Sequence, residues 1–65
     1  MNVFINQLPH TLLPGATLAE AIALLQPEPP YAAAVNLQFV PKTRYAEHQL
    51  HLDDRIDIIA PVTGG

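Results

Sequence analysis

The 65-residue chain contains neither serine nor cysteine. The two commonest covalent nucleophiles, and every triad built on them, are therefore missing, which argues against a hydrolase. His10, His48 and His51 could be imagined as metal ligands. They fall on different loops or alternate strand faces, however, with no cysteine or tight carboxylate cluster beside them, so surface roles are expected and no metal site is assigned. Asp53, Asp54 and Asp57 raise the question of acid-base work. Catalytic carboxylates need a pocket, and a chain this short encloses little of one, so these residues read as a turn and a solvated strand face. What remains is the end of the chain, Gly64-Gly65. These two residues have no side chains to pack, and they leave the terminal carboxylate on a stem with no Cβ. Taken alone, the same dipeptide also fits a frayed terminus.

Composition narrows the setting. About half of the residues are apolar (49%), enough for one compact domain and one small core. With no cysteine, neither a disulfide nor a thiolate metal site reinforces that core. The formal charge is −3, and Lys42, Arg44 and Arg55 are the three permanent cations. That is too little basic surface to neutralise several phosphates, so nucleic acid is not an expected partner. The opening MNVFINQL lacks the positive start and apolar stretch of a signal peptide, and no apolar run approaches the roughly 20 residues that span a bilayer. The expected compartment is the cytoplasm, with no membrane association.

The elements that must position the terminus follow from periodicity. Residues 2 to 7 alternate, with Val3 and Ile5 on one side and Phe4 on the other, which predicts a strand with one buried face. Leu8-Pro9-His10 breaks that pattern, and Thr11 to Leu13 could return as the second arm of a hairpin. Thr17-Leu18-Ala19-Glu20 has the spacing of a capping box, so a helix should begin there. Leu18, Ala21, Ile22 and Leu25 form its apolar stripe, and Pro27, Pro29 and Pro30 forbid continuation soon after Gln26. Ala32 to Val35 and Phe39-Val40 read as short strands joined by a reversal at Asn36-Leu37. Lys42 to His48 is polar, with at most a single turn and Tyr45 as its anchor. Leu50 and Leu52 alternate around His51 as a short edge strand would. Asp53-Asp54 marks a turn, after which Ile56, Ile58 and Ala60 should share the buried face of a last strand. Residues 1–60 then make one domain, and 61–65 a flexible tail. Pro61 cannot donate to a ladder, and the tail could reach roughly 17 Å at about 3.3 to 3.6 Å per residue.

This order resembles the ubiquitin-like β-grasp fold, an α+β architecture in which a mixed sheet of four to five strands packs on one helix. Within that class, Gly15-Ala16-Thr17-Leu18, Val35-Asn36, Val40-Pro41, Tyr45, Leu50, Asp54, Ile56-Asp57-Ile58 and Gly64-Gly65 are similar to the ThiS family, the sulfur carriers of thiamine biosynthesis. The resemblance covers essentially the whole chain. Its specificity lies in the length, the Asn-x-x-x-Val-Pro spacing and the terminal diglycine together. Two features depart from the pattern: family members often have glycine where Asp53 stands, and the Pro-rich stretch from Gln26 to Pro30 is local to this sequence. The ending Pro61-Val62-Thr63-Gly64-Gly65 is also similar to the small subunit of molybdopterin synthase, a family of longer chains. A ubiquitin-like modifier and a plain β-grasp interaction module share the fold as well.

The resemblance implies a chemistry for Gly65. An E1-like adenylyltransferase of the ThiF type would use ATP and Mg²⁺ to convert its carboxylate to an acyl-adenylate, and persulfide sulfur would replace the adenylate to leave a thiocarboxylate. Thiazole synthase of the ThiG type would accept that sulfur. The chain is then a carrier and co-substrate rather than an enzyme, binds no cofactor of its own, and is monomeric when free. Gly64, Thr63 and Val62 would be partner-binding through the tail. Phe4 and Ile59 interrupt the polar sides of their strands, and if the first and last strands lie side by side they could form an apolar docking patch. Isolated exposed apolar residues are ordinary, which is the competing reading.

Overall fold

The structure, a computed structural model, describes residues 1–60. Strand β1 (Asn2–Ile5) turns Val3 and Ile5 inward, where both are essentially free of solvent. The chain then reverses at Asn6-Gln7, with φ of 50° and 70°. Two consecutive left-handed residues make a type I′ turn, whose twist matches that of the strands it joins. β2 consequently spans Leu8–Thr11, antiparallel to β1, with Ile5 opposite Leu8 and Asn2 opposite Thr11. Sequence periodicity had extended the first strand to residue 7 and placed its partner at Thr11 to Leu13. The error came from Pro9. It is accommodated inside β2 because β2 is the sheet's edge and Pro9 lies opposite Phe4. Phe4 turns its N–H the other way, to the Asp54 carbonyl at 2.9 Å. That pair is thus not hydrogen-bonded, and the proline nitrogen faces outward where no ladder bond is lost.

Helix α1 (Leu18–Leu25) begins where the capping box predicted. Its first free amides are all accounted for. Leu18 N–H donates to the His48 carbonyl at 2.8 Å, and Ala19 N–H to that of Tyr45 at 2.9 Å. Glu20 N–H reaches Thr17 Oγ1 at 3.4 Å, while Thr17 N–H donates to Glu20 Oε2 at 2.7 Å. The helix stops at Gln26, which still donates its N–H to the Ile22 carbonyl but has a left-handed backbone (φ 50°) that turns the chain out of the helix. Leu18, Ala21 and Ile22 are buried, whereas Leu25, expected in the same stripe, is 37% exposed because the helix ends there.

β3 (Ala32–Val35) and β4 (Gln38–Val40) form the second hairpin, and their turn at Asn36-Leu37 has φ of 51° and 68°. A 3₁₀ turn at Lys42–Arg44 follows, and buried Tyr45 stacks on Tyr31 with ring centroids 6.3 Å apart. No strand forms at Leu50 to Leu52. The bridge between Thr17 and Gln49 brings buried Leu50 to the helix start. The Asp54 carboxylate then accepts the His51 N–H at 2.8 Å and curls the chain, which leaves Leu52 exposed.

β5 (Arg55–Ile59) closes the sheet in the order β2-β1-β5-β3-β4, parallel to β1 and antiparallel to β3. Ile56 lies between Ile5 and Val35 at the sheet's centre and is 1% exposed. Ile58 is half-buried. Ala60, read as the last inward residue, lies past the strand's end and is exposed, because the neighbouring strand begins at Ala32, opposite Ile59. Helix and inner sheet face together enclose the core around Val3, Ile5, Leu18 and Ile56. Among the described residues no helix is long and apolar enough to cross a membrane.

Candidate functional site

The family resemblance leads one to expect the chemistry at Gly65, with Gly64, Thr63 and Val62 behind it. These four lie outside the described residues, so the site is defined by what the fold does up to Ala60. β5 is the element that delivers the chain to that point, and it is held from both sides by asparagines. Asn36, the first residue of the β3–β4 turn, accepts the Arg55 N–H on Oδ1 at 3.0 Å and donates from Nδ2 to Asp54 Oδ1 at 3.0 Å. Its own N–H meets the Arg55 carbonyl at 2.7 Å. Asn6, the first residue of the β1–β2 turn, donates its N–H to the Ile56 carbonyl at 2.8 Å and accepts the Ile58 N–H on Oδ1 at 2.8 Å. Asn36 thus fixes where β5 starts, and Asn6 fixes its later half. Neither role was read from the sequence. The available signal was an asparagine heading each two-residue turn between alternating segments, where the left-handed conformation tolerates it best.

The sheet's outer face, opposite the helix, is open. Phe4 and Ile59 both point to it, since Phe4 is in register with Arg55 and the side chains of Arg55, Asp57 and Ile59 share one side. They do not touch. Four residues of β5 separate Ile59 from the level of Phe4, roughly 13 Å at about 3.3 Å per residue. Phe4 is half-buried and Ile59 is 59% exposed. Between the two turns this face sinks into a concavity of about 540 Å³ lined by Phe4, Gln7, Asn36, Leu37, Arg55, Ile56 and Asp57. Phe39, 68% exposed and paired with Ala34, adds a second aromatic to the face. The alternation that buries Val40 already implied an outward Phe39.

Elsewhere among the described residues the three histidines lie on separate segments. His10 is half-buried on the edge strand, His48 is half-buried before Gln49, and exposed His51 stands 3.8 Å from Asp54. Among the described residues no three His, Cys, Asp or Glu side chains gather into a metal-binding group. The carboxylate of Asp54 serves the turn, as its bonds to Asn36 and to the His51 N–H make plain. Burial, with a smaller contribution from Tyr31, raises the Tyr45 phenol above its ordinary value.

A single α-helix on a five-stranded mixed sheet, with the central strand β5 parallel to β1, defines a ubiquitin-like β-grasp protein. Within that class the chain belongs to the ThiS family, whose family model matches residues 3–65. The family and fold expected from the sequence are both found. A member of this family is a small sulfur carrier protein, not a catalyst. Among solved structures the chain is similar to the thiamine biosynthesis protein ThiS from Geobacter metallireducens, at 16% identity over 100% of both chains and a TM-score of 0.81. At that identity the likeness concerns the fold. No curated protein matches the chain significantly.

Proposed function

We propose that the chain carries activated sulfur on its C-terminal Gly65 for thiazole formation in thiamine biosynthesis. The observation that carries this reading is the extent of the family match, which runs through residue 65 and so includes the diglycine. A carboxylate is a poor electrophile, so activation comes first. An E1-like adenylyltransferase of the ThiF type directs a Gly65 carboxylate oxygen to the α-phosphorus of ATP, with Mg²⁺ on the phosphates, and pyrophosphate leaves. The terminal sulfur of a persulfide then attacks the acyl carbon and AMP departs. A reducing thiol cuts the remaining S–S bond to release the thiocarboxylate. Thiazole synthase of the ThiG type takes up that sulfur. ATP and Mg²⁺ belong to the partner, and the cytoplasm is where these partners would be met.

In this reading Val62, Thr63 and Gly64 occupy the partner's channel, while Phe4 and Ile59 meet the partner from the sheet's outer face. Incubation with ATP, Mg²⁺, the activating enzyme and a sulfur source should raise the intact mass by one oxygen-to-sulfur exchange at the C-terminus. An unchanged mass, with the enzyme shown active on another carrier, overturns the proposal. An isopeptide ladder in the native host would instead mark a modifier. Co-purification with the molybdopterin synthase large subunit rather than thiazole synthase would move the protein to that pathway.

A further inference from the structure

β5 has unequal neighbours along its length. On one side β3 accompanies it from Ile56 to Ile59. On the other, β1 pairs with Arg55 and Ile56 and then turns away at Asn6. The later half of β5 would therefore expose an unpaired backbone donor just before the chain leaves the sheet. The Ile58 N–H is that donor, and it is taken by Asn6 Oδ1 at 2.8 Å. A side chain stands in for the missing strand.

We propose that Asn6 is a positioning residue for the tail: by holding the Ile58 amide it sets the direction in which the chain leaves the sheet at Ile59 and Ala60. This rests on the sulfur-carrier reading, because an aimed terminus matters only if it must enter a partner's active site. The physical basis is preorganisation. A group placed correctly before encounter need not be ordered during it, so fixing the last residues of the sheet lowers the cost of bringing the terminus into a partner's site. The left-handed backbone of Asn6 (φ 50°) is what turns its short amide back toward β5. Asparagine supplies both properties at once, since it tolerates that conformation and carries an acceptor.

The variant Asn6→Gly separates the two, because glycine suits the left-handed turn better still and removes only the acceptor. Asn6→Asp keeps turn and acceptor alike. In Asn6→Gly the Ile58 amide should exchange with solvent about tenfold faster while the amides of Val3 and Ile5 hold their protection. At a temperature where all variants are fully folded, its kcat/KM for adenylation by the activating enzyme should fall about fivefold, and Asn6→Asp should remain near the unaltered protein. Ile22→Val, a mildly destabilising change in the core, should leave kcat/KM where it was, which removes simple loss of stability as the cause. Unchanged Ile58 exchange, unchanged kcat/KM in Asn6→Gly, or an equal loss in Asn6→Asp overturns the inference while the carrier reading stands. If the unaltered protein is not adenylated at all, the carrier reading falls and the aiming role falls with it.

Discussion

At the scale of single residues, the most demanding positions are those where backbone and side chain must both be right. Asn36 is the clearest. It sits at φ 51°, where most residues are strained, and joins Asp54 and Arg55 through its amide. Asn36→Ala removes two hydrogen bonds and leaves a Cβ in the left-handed region, for an expected loss of about 2–3 kcal/mol. Asn36→Gly loses the same bonds without the strain and should cost about 1 kcal/mol less. Urea unfolding of the two variants reads the difference, and equal losses would show that strain has no part. Tyr45 carries a pH dependence of definite sign. Its folded phenol is raised above the ordinary tyrosine value. Below about pH 10 it is neutral in both states and its contribution is complete. As pH rises through that value the unfolded chain loses the proton first, so stability declines until the folded phenol ionises too. Tyr45→Phe should flatten the fall in urea midpoint above about pH 10; an unaltered slope would place its cause elsewhere.

Among elements, the helix start shows how much was readable and how much was not. The Thr-x-x-Glu spacing located it correctly, but the relative weight of its two bonds is a matter of geometry. Glu20 Oε2 takes the Thr17 amide at 2.7 Å, whereas Thr17 Oγ1 meets the Glu20 amide at a long 3.4 Å. The shorter bond is charge-assisted and lies at the positive end of the helix dipole. Glu20→Ala should thus cost about 1 kcal/mol and Thr17→Ala only about 0.5 kcal/mol, the low end for a cap. Thermal melts in the reverse order would reject this ranking. The helix survives either change because the carbonyls of His48 and Tyr45 hold two further amides. Those carbonyls belong to a segment with no periodicity of its own, so nothing local announced them. Pro9 failed in the opposite sense. Its ring reads as a break wherever it stands, and only the neighbour on each side of a strand decides whether its missing donor matters. Leu50 and Leu52 look alike in sequence, yet one lies under the helix start and the other is thrown outward by the Asp54 turn.

For the molecule as a whole, the order of strands and the single helix were legible because alternation, capping and turn chemistry all agree across the chain. The sheet's outer face was legible only in part. Phe4 and Ile59 were placed on it correctly, but their separation depends on the β1–β5 register, which a two-residue slip would change without altering either strand's pattern. The concavity between the two turns depends on that register as well, so it had no trace in the sequence. This division bears directly on how the protein should respond to loss of its end. The core is built from residues between Val3 and Ile56. Every described pairing that closes the sheet is complete by Ile59. Removing Gly65 should therefore leave the melting temperature and the urea midpoint unchanged. It also removes the only carboxylate that carries the diglycine stem, and moving the terminus back by one residue shortens its reach by about 3.3 to 3.6 Å, more than a near-attack geometry tolerates. The truncated protein should still bind the activating enzyme through the sheet face and compete with the full-length chain, yet give no ATP-dependent adenylation. Normal adenylation of the truncated protein would remove Gly65 from the chemistry, and a lowered melting temperature would show that the end of the chain supports the fold as well.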